Sequence, residues 1–287
     1  MNDQIAYYTE QYDAVAAIPD HPRILTRWLR DSAHVRRTKP ALLDLAYGES
    51  AAERLDFFPA NRSGAPLLIF IHGGWWRSRD KSNFSFMVPA YTQAGFNVAL
   101  TNYGLAPAVS MEDITRQQLH AIAWLYQRAE DYDFDPQRIV VAGHSAGAHL
   151  AAMMMSALWP AFDPALPSDL VKAGVLLSGL YDLTPIMHAD FVNADLKLTP
   201  QRSELLSPAF MPQAHPAPFI SAVGALESDE FKRQNALIGQ VWNDSHAGDI
   251  AVPDKNHITI CDAFATPGEP LFEATVKLIN GLKSDSN

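Results

Sequence analysis

Short apolar runs and longer amphipathic stretches alternate along the chain from about residue 65 onward. The apolar runs predict buried strands, and they lie at 66–71, 97–103, 138–142, 175–178 and 218–224. Helices are predicted between and after them, at 111–129, 148–155 and 271–283, and Ser110 is placed to cap the first of these. This alternation predicts an α/β fold with a mostly parallel sheet and helices on both faces.

Three parts of the chain depart from this alternation. Residues 42–48 and 54–59 predict an early antiparallel strand pair, and the short run 249–253 predicts a last strand. Residues 1–37 predict a helical arm that either packs on the sheet or covers the site as a flap. Residues 181–216 mix apolar, polar and proline positions, which favours a cap over the site rather than a plain surface crossover. With no linker or repeat, residues 1–287 are predicted to form a single domain.

The composition argues against several classes of function. The 287 residues carry a formal net charge of −10 and no basic stripe, which disfavours nucleic-acid binding. No apolar stretch reaches the length of a membrane span, and the first residues do not resemble a secretory signal. The one cysteine, Cys261, precludes an internal disulfide and favours a reducing cytoplasm. No metal-ligand spacing and no nucleotide-binding glycine motif occurs, so neither a metal nor another cofactor is expected.

The most specific chemical signal is the sequence GHSAG at 143–147. A turn predicted at 135–138 leads into the strand before it, and a predicted helix follows. In that context Gly-x-Ser-x-Gly forms a sharp turn that exposes the serine hydroxyl above the sheet. Glycine is needed on both sides because the turn leaves no room for side chains there. Ser145 is therefore the predicted nucleophile.

A second motif, HGGWW at 72–76, follows the strand predicted at 66–71. The backbone amides of Gly73 and Gly74, with that of Ala146 after the serine, are the predicted donors of an oxyanion hole. Adjacent glycines let the backbone approach a reacting carbonyl without an intervening Cβ atom. His72 is interpreted as a structural histidine that holds this loop, not as the catalytic base.

A serine nucleophile needs a histidine base, and His257 is the predicted one. It follows the run 249–253 and precedes the final helix. In this kind of architecture the order along the chain is serine, acid, histidine. The other histidines lie before the sheet, inside helices, beside the serine or in polar loops.

Three carboxylates compete for the acid that orients the base. Glu227 is preferred because it lies three residues past the glycine that ends the strand at 218–224. Ser228 resembles a helix N-cap and would place Asp229 and Glu230 in the first helical turn, so Asp229 is kept as the reserve. Asp182, after the strand at 175–178, is a third candidate.

Together these motifs resemble the kynurenine formamidases (arylformamidases), a group with the α/β-hydrolase fold. The resemblance rests on HGGxW at 72–76, GxSAG at 143–147 with AHL after it, YG at 47–48 and GALESDEFKRQ at 224–234. It covers nearly the whole chain. The departure is at the acid, where many relatives have Asp and this chain has Glu227, whose longer side chain can still reach the histidine.

The resemblance implies hydrolysis of N-formyl-L-kynurenine to L-kynurenine and formate, with a small formyl or acyl compound as the partner. It further implies that Trp75, Trp76 or Phe191 binds the aromatic part of the substrate. A carboxylesterase acting on short acyl esters would use the same motifs and stays an alternative. A non-catalytic hydrolase fold used for binding is a third. Whether the chain forms a homodimer stays open, because the sequence shows no interface.

Overall fold

The structure is a computed structural model that describes residues 2–283. Its centre is a sheet made of β1 (Leu42–Ala46), β2 (Arg54–Phe58), β3 (Ala65–Ile71), β4 (Asn97–Thr101), β5 (Phe134–His144), β6 (Ala173–Leu177), β7 (Phe219–Ala222) and β8 (His246–Asp249). The strands lie in the order β1-β2-β4-β3-β5-β6-β7-β8. β2 runs antiparallel to both of its neighbours, β1 and β4. The other neighbouring strands, from β4 through β3 to β8 in the spatial order, are parallel to each other. The predicted early antiparallel pair and mostly parallel sheet are confirmed.

Helices connect and flank these strands. They are α1 (Asn2–Tyr12), α2 (His21–Thr38), α3 (Val88–Gln93), α4 (Met111–Tyr126), α5 (Ala146–Met155), α6 (Trp159–Phe162), α7 (Asp190–Leu196), α8 (Pro200–Leu205), α9 (Asp229–Val241), α10 (Ile260–Ala265) and α11 (Pro270–Asn280). Short 3-10 helices span Lys81–Met87, Pro185–His188 and Pro208–Phe210. Within residues 2–283, no helix is both long and apolar enough to cross a membrane.

The sheet is covered on both faces, as the residues of β3 show. Leu67, Ile69 and Ile71 belong to a core on one face that includes α4, α5 and α9. Leu68 and Phe70 belong to a second core that includes α2, α3, α10 and α11. Successive side chains of a strand point to opposite faces, so an uninterrupted apolar run indicates a strand buried on both sides. Each such side chain contributes about 1.5–3 kcal/mol by leaving water.

Two predicted boundaries are wrong. Residues 135–138 are not a turn but lie within β5, whose first residue, Phe134, pairs with Ala65 across an irregularity in the register. The last strand lies three residues earlier than the predicted run 249–253, because the parallel ladder with β7 is formed by residues 246–249. Beyond it, Val252 forms only an isolated bridge with Gly224.

Candidate active site

Ser145 stands at the turn between β5 and α5. Its φ of 57° and ψ of −120° lie outside the regions that L-residues ordinarily occupy, which is the strained geometry expected of a nucleophile on a sharp turn. The turn is tight on both sides. A Cβ atom on Gly143 would lie 2.1 Å from the carbonyl oxygen of Gly147, and one on Gly147 would lie 2.0 Å from that of Ile71. Only glycine fits at either position.

The structure brings Ser145, His257 and Glu227 together. Nε2 of His257 lies 3.0 Å from Oγ of Ser145, and Nδ1 lies 2.6 Å from Oε2 of Glu227. An ionised carboxylate only accepts hydrogen bonds, so Nδ1 carries the proton and Nε2 is left to accept from the serine hydroxyl. All three side chains are buried. This is the geometry of a nucleophile, a base and an orienting acid.

Glu227 is held by more than the histidine. Its second oxygen, Oε1, accepts from the Ser178 hydroxyl at 2.6 Å and from the Gly224 amide at 2.7 Å. The other candidate acids lie elsewhere. Asp229 begins α9 behind its cap Ser228, as predicted, and Asp182 pairs with Arg233. Ser178 follows β6 and was missed from the sequence because nothing local marks it as a partner of Glu227.

Two rings pack against the base. The ring of Phe231 lies 4.3 Å from that of His257, and the ring of His144 lies 4.7 Å from it, centre to centre. His144 also donates through Nε2 to the His257 carbonyl oxygen at 2.7 Å. Burial lowers the pKa of His144 well below its ordinary value, so this second histidine stays neutral and fixes the base without competing for its proton.

The loop after β3 lies directly against the serine. A Cβ atom on Gly73 would lie 2.6 Å from the His144 carbonyl oxygen, and Gly74 has a φ of 114°, which favours glycine. Among residues 2–283, no group accepts a hydrogen bond from the amides of Gly73, Gly74 or Ala146. Amides that are free in this way, beside a nucleophile, can bind a developing oxyanion.

His72 holds this loop, as interpreted from the sequence. Its Nδ1 lies 2.8 Å from the Gly73 carbonyl oxygen and its Nε2 lies 3.0 Å from Oδ1 of Asn102. The Tyr103 hydroxyl donates to the His72 carbonyl oxygen at 2.8 Å, and the two rings stack. Burial lowers the pKa of His72. The His72 ring therefore supports the loop, and its two nitrogens contact groups other than Ser145.

A small cavity of about 60 Å³ opens beside Ser145. Apart from His144, Ser145, His257 and the two glycines, its walls are mainly apolar and comprise Ala14, Val15, Leu25, Trp28, Trp75, Phe84 and Ile258, with Arg79 as the charged member. Ala14 and Val15 lie between α1 and α2, so the N-terminal arm forms part of this wall. The arm therefore covers the site as well as packing on the sheet.

Of the three aromatic residues predicted to bind substrate, only Trp75 lines this cavity. Trp76 is fully buried and packs edge-on against His149 of α5, so the structure corrects its predicted role to one of packing. Phe191 lines a separate groove beside α1 and touches the site only through an edge contact with Trp75, at 5.6 Å between ring centres. It therefore supports Trp75 rather than lining the pocket.

The segment 181–216 is tied to the site at two points. Asp195 of α7 pairs with Arg77 of the loop after β3 at 2.7 Å. On the other side, His149 donates through Nε2 to the Leu206 carbonyl oxygen at 2.7 Å. Burial lowers the pKa of His149 to about 4, so this link is made by a neutral histidine. No group of three His, Cys, Asp or Glu residues in the described part of the chain is arranged to hold a metal ion.

Comparisons with known proteins agree with this geometry. The profile of the BD-FAE family matches residues 55–222. A kynurenine formamidase from Danio rerio is 33% identical over 70% of this chain and 68% of its own length. Esterase LipQ from Mycobacterium tuberculosis is 33% identical over 52% of this chain and 38% of its own length. The crystal structure of a proposed thioesterase from Silicibacter sp. tm1040 has a TM-score of 0.83 at 28% identity, and the match covers 95% of this chain and 98% of that one.

Proposed function

This chain belongs to the BD-FAE family of α/β-hydrolases, as a kynurenine formamidase-like member, and we propose that it cleaves N-formyl-L-kynurenine to L-kynurenine and formate. The observation that carries the proposal is the pair of hydrogen bonds that joins Glu227 to His257 and His257 to Ser145. The backbone amides of the oxyanion loop lie beside this triad and are not hydrogen-bonded to other groups of the described chain. The similarity to a named kynurenine formamidase supports the choice of substrate.

In the first step the Ser145 hydroxyl attacks the formyl carbon of the substrate, and His257 takes the hydroxyl proton at Nε2. The carbonyl oxygen of the formyl group becomes an oxyanion, and the amides of Gly73, Gly74 and Ala146 bind it. Loss of one such donor raises the barrier by about 3 kcal/mol in comparable sites. The C–N bond then breaks as His257 returns the proton to the aniline nitrogen, which gives L-kynurenine and a formyl ester of Ser145.

In the second step a water molecule replaces the departed amine. His257 takes a proton from the water as its oxygen attacks the formyl ester, and the same amides bind the second oxyanion. Collapse of this intermediate returns the proton from His257 to Ser145 Oγ and releases formic acid, which loses its own proton to solvent and becomes formate. Glu227 stays ionised throughout and stabilises the imidazolium that forms twice in the cycle.

The cavity beside Ser145 has room for a small acyl group. Its volume of about 60 Å³ accommodates a formyl or acetyl group. The aromatic leaving group has to extend outward along Trp75, whose indole offers an apolar surface for stacking. A formamide with a bulky aryl part and a minimal acyl part fits that division of space.

A carboxylesterase acting on short acyl esters is the second candidate function. The similarity to Esterase LipQ supports it, and ester cleavage needs the same relay and oxyanion donors. The two functions differ in the leaving group. An aniline must be protonated as it departs, whereas a phenolate can leave without a proton.

The test compares N-formyl-L-kynurenine with p-nitrophenyl acetate as substrates of the wild type, Ser145→Ala and Ser156→Ala. Ser156 ends α5 away from the elbow, so it controls for removal of a hydroxyl from the same helix region. A higher kcat/KM on the formamide, lost in Ser145→Ala and kept in Ser156→Ala, would support the proposal. Cleavage of the ester alone would replace the formamidase with the esterase. An intact rate in Ser145→Ala would refute the mechanism.

A further inference from the structure

Arg79 lies at the mouth of the cavity that holds Ser145. It lines that cavity together with His144 and His257, and it is exposed to solvent. Its aliphatic part packs over the oxyanion loop, since its Cγ atom lies 2.7 Å from where a Cβ atom on Gly74 would stand. Arg79 is therefore a charged residue that both contacts the oxyanion loop and lines the cavity of the nucleophile.

This guanidinium has no acidic partner among residues 2–283, whereas Arg77 two residues earlier is neutralised. Arg77 pairs with Asp195 at 2.7 Å and lies over the ring of Phe191. No carboxylate of the described chain lies within 4.0 Å of a nitrogen of Arg79.

The backbone of Arg79 adds an independent observation. Its φ of 78° lies in the left-handed region that favours glycine. The preceding turn fixes this conformation, because the Ser78 and Arg77 amides both donate to the Gly74 carbonyl oxygen. Strain of this kind persists only where the surrounding structure holds it, and it clusters at functional sites.

We propose that Arg79 forms a carboxylate-binding subsite for the leaving-group part of the substrate, so that the preferred substrates carry a carboxylate on their aryl part. The proposal rests on the function proposed above and narrows its substrate class. N-formyl-L-kynurenine carries an α-carboxylate on the side chain beside its formamide, remote from the bond that breaks. A guanidinium recognises a carboxylate through two parallel hydrogen bonds, a geometry that lysine cannot supply.

The experiment uses two substrates that differ only in this group: N-formyl-L-kynurenine and its decarboxylated analogue N-formylkynuramine. They are compared on the wild type, Arg79→Gln, Arg79→Gly and Arg62→Gln. Arg62 is an exposed arginine just before β3, at the opposite end of that strand from the oxyanion loop, so its variant controls for the loss of one positive charge. The same proteins are assayed for inhibition of p-nitrophenyl acetate hydrolysis by L-kynurenine and by kynuramine.

We expect the wild type and Arg62→Gln to prefer the carboxylate substrate by about ten- to hundredfold in kcat/KM, the usual worth of a charge-assisted hydrogen bond. Both Arg79 variants should lose that preference through KM, with kcat little changed, because the bond is made equally in the ground and transition states. Arg79→Gly should also melt at a higher temperature, since it relieves the strained φ. Rescue by Arg79→Lys should be partial.

A preference that survives in both Arg79 variants, or that the wild type lacks, would overturn the subsite. Failure of the proposed function has a different signature, because the wild type would then cleave neither formamide. In that case the inhibition assay shows whether Arg79 binds a carboxylate. Stronger inhibition by L-kynurenine than by kynuramine that depends on Arg79 would uphold it, and equal inhibition would overturn it.

Discussion

Oε2 of Glu227 lies 2.6 Å from Nδ1 of His257, while the other oxygen of the same carboxylate is bonded to Ser178 and Gly224. The carboxylate therefore cannot rotate away from the base without breaking two further hydrogen bonds. Although glutamate has one methylene more than aspartate, these hydrogen bonds hold its carboxylate firmly against the base. The tautomer of His257 is set by this one pair.

Replacing Glu227 with Gln should lower kcat by about a thousandfold or more. A neutral amide can present its NH2 group to Nδ1, which favours the wrong tautomer and removes the charge that stabilises the imidazolium. Asp229→Asn is the matched control, because Asp229 lies in the first turn of α9 and should change only helix stability, by about 0.3–1 kcal/mol. Steady-state rates of the two variants show which residue is the triad acid. Near-normal activity in Glu227→Gln with loss of activity in Asp229→Asn would assign that role to Asp229.

Gly147→Ala should remove most activity. The added Cβ atom would meet the Ile71 carbonyl oxygen at 2.0 Å, so the elbow has to move relative to β3. A displacement of about 1 Å at the nucleophile is worth a factor of roughly 100 in rate. Gly281→Ala, where the nearest atoms lie at 3.4 Å, should leave both rate and stability close to those of the wild type. If Gly147→Ala keeps the full rate, the elbow is less rigid than its geometry requires.

Ser145, Glu227 and His257 could be predicted from the sequence because each lies in a recognisable local pattern. The elbow is marked by its glycines, and the acid and the base each follow a strand. Strand ends were less predictable: the run 249–253 is more apolar than 246–249, yet the earlier residues pair with β7. Parallel pairing depends on backbone register, which a short run does not specify.

Hydrogen bonds between residues far apart in the chain could not be predicted, because no local sequence pattern marks them. The bond between His144 and the His257 carbonyl spans 113 residues, and that between Ser178 and Glu227 spans 49. Trp76 and Trp75 are adjacent and identical in type, yet one is buried and the other lines the cavity. Both tryptophans lie in a loop with positive φ values, a local backbone geometry that composition does not reveal.

Acid should destabilise the protein through His149. With a pKa of about 4 when folded and about 6.5 when unfolded, only the unfolded chain binds this proton between those values. The contribution is therefore complete above pH 6.5 and falls with pH across that window, by about 3 kcal/mol in total by pH 4. Denaturant unfolding at pH 7, 6, 5 and 4 measures it.

His149→Gln keeps a donor for the Leu206 carbonyl oxygen but has no proton to gain, so its free energy of unfolding should depend less on pH than that of the wild type. The matched control is His34→Gln, an exposed histidine on α2. An unchanged slope in His149→Gln would mean that the acid sensitivity has another source.

Tyr12→Phe should lower the free energy of unfolding by about 1–3 kcal/mol, because it leaves buried polar partners unpaired. The Tyr12 hydroxyl donates to Oε2 of Glu230 at 2.7 Å and accepts from Nε2 of Gln234 at 3.0 Å. Tyr7→Phe, five residues earlier and about half exposed, should change stability by less than about 0.5 kcal/mol. Equal effects of the two substitutions in thermal or denaturant unfolding would argue that the arm is not anchored through Tyr12.

The anchoring of the arm also has a consequence for biosynthesis. The bond from Tyr12 to Glu230 spans 218 residues, so α1 leaves the ribosome long before the helix that receives it exists. At about 5–20 residues per second, that delay is roughly 10–40 s. During this time α1 cannot form its bond to α9, so the arm that carries Ala14 and Val15 is not yet anchored beside the serine.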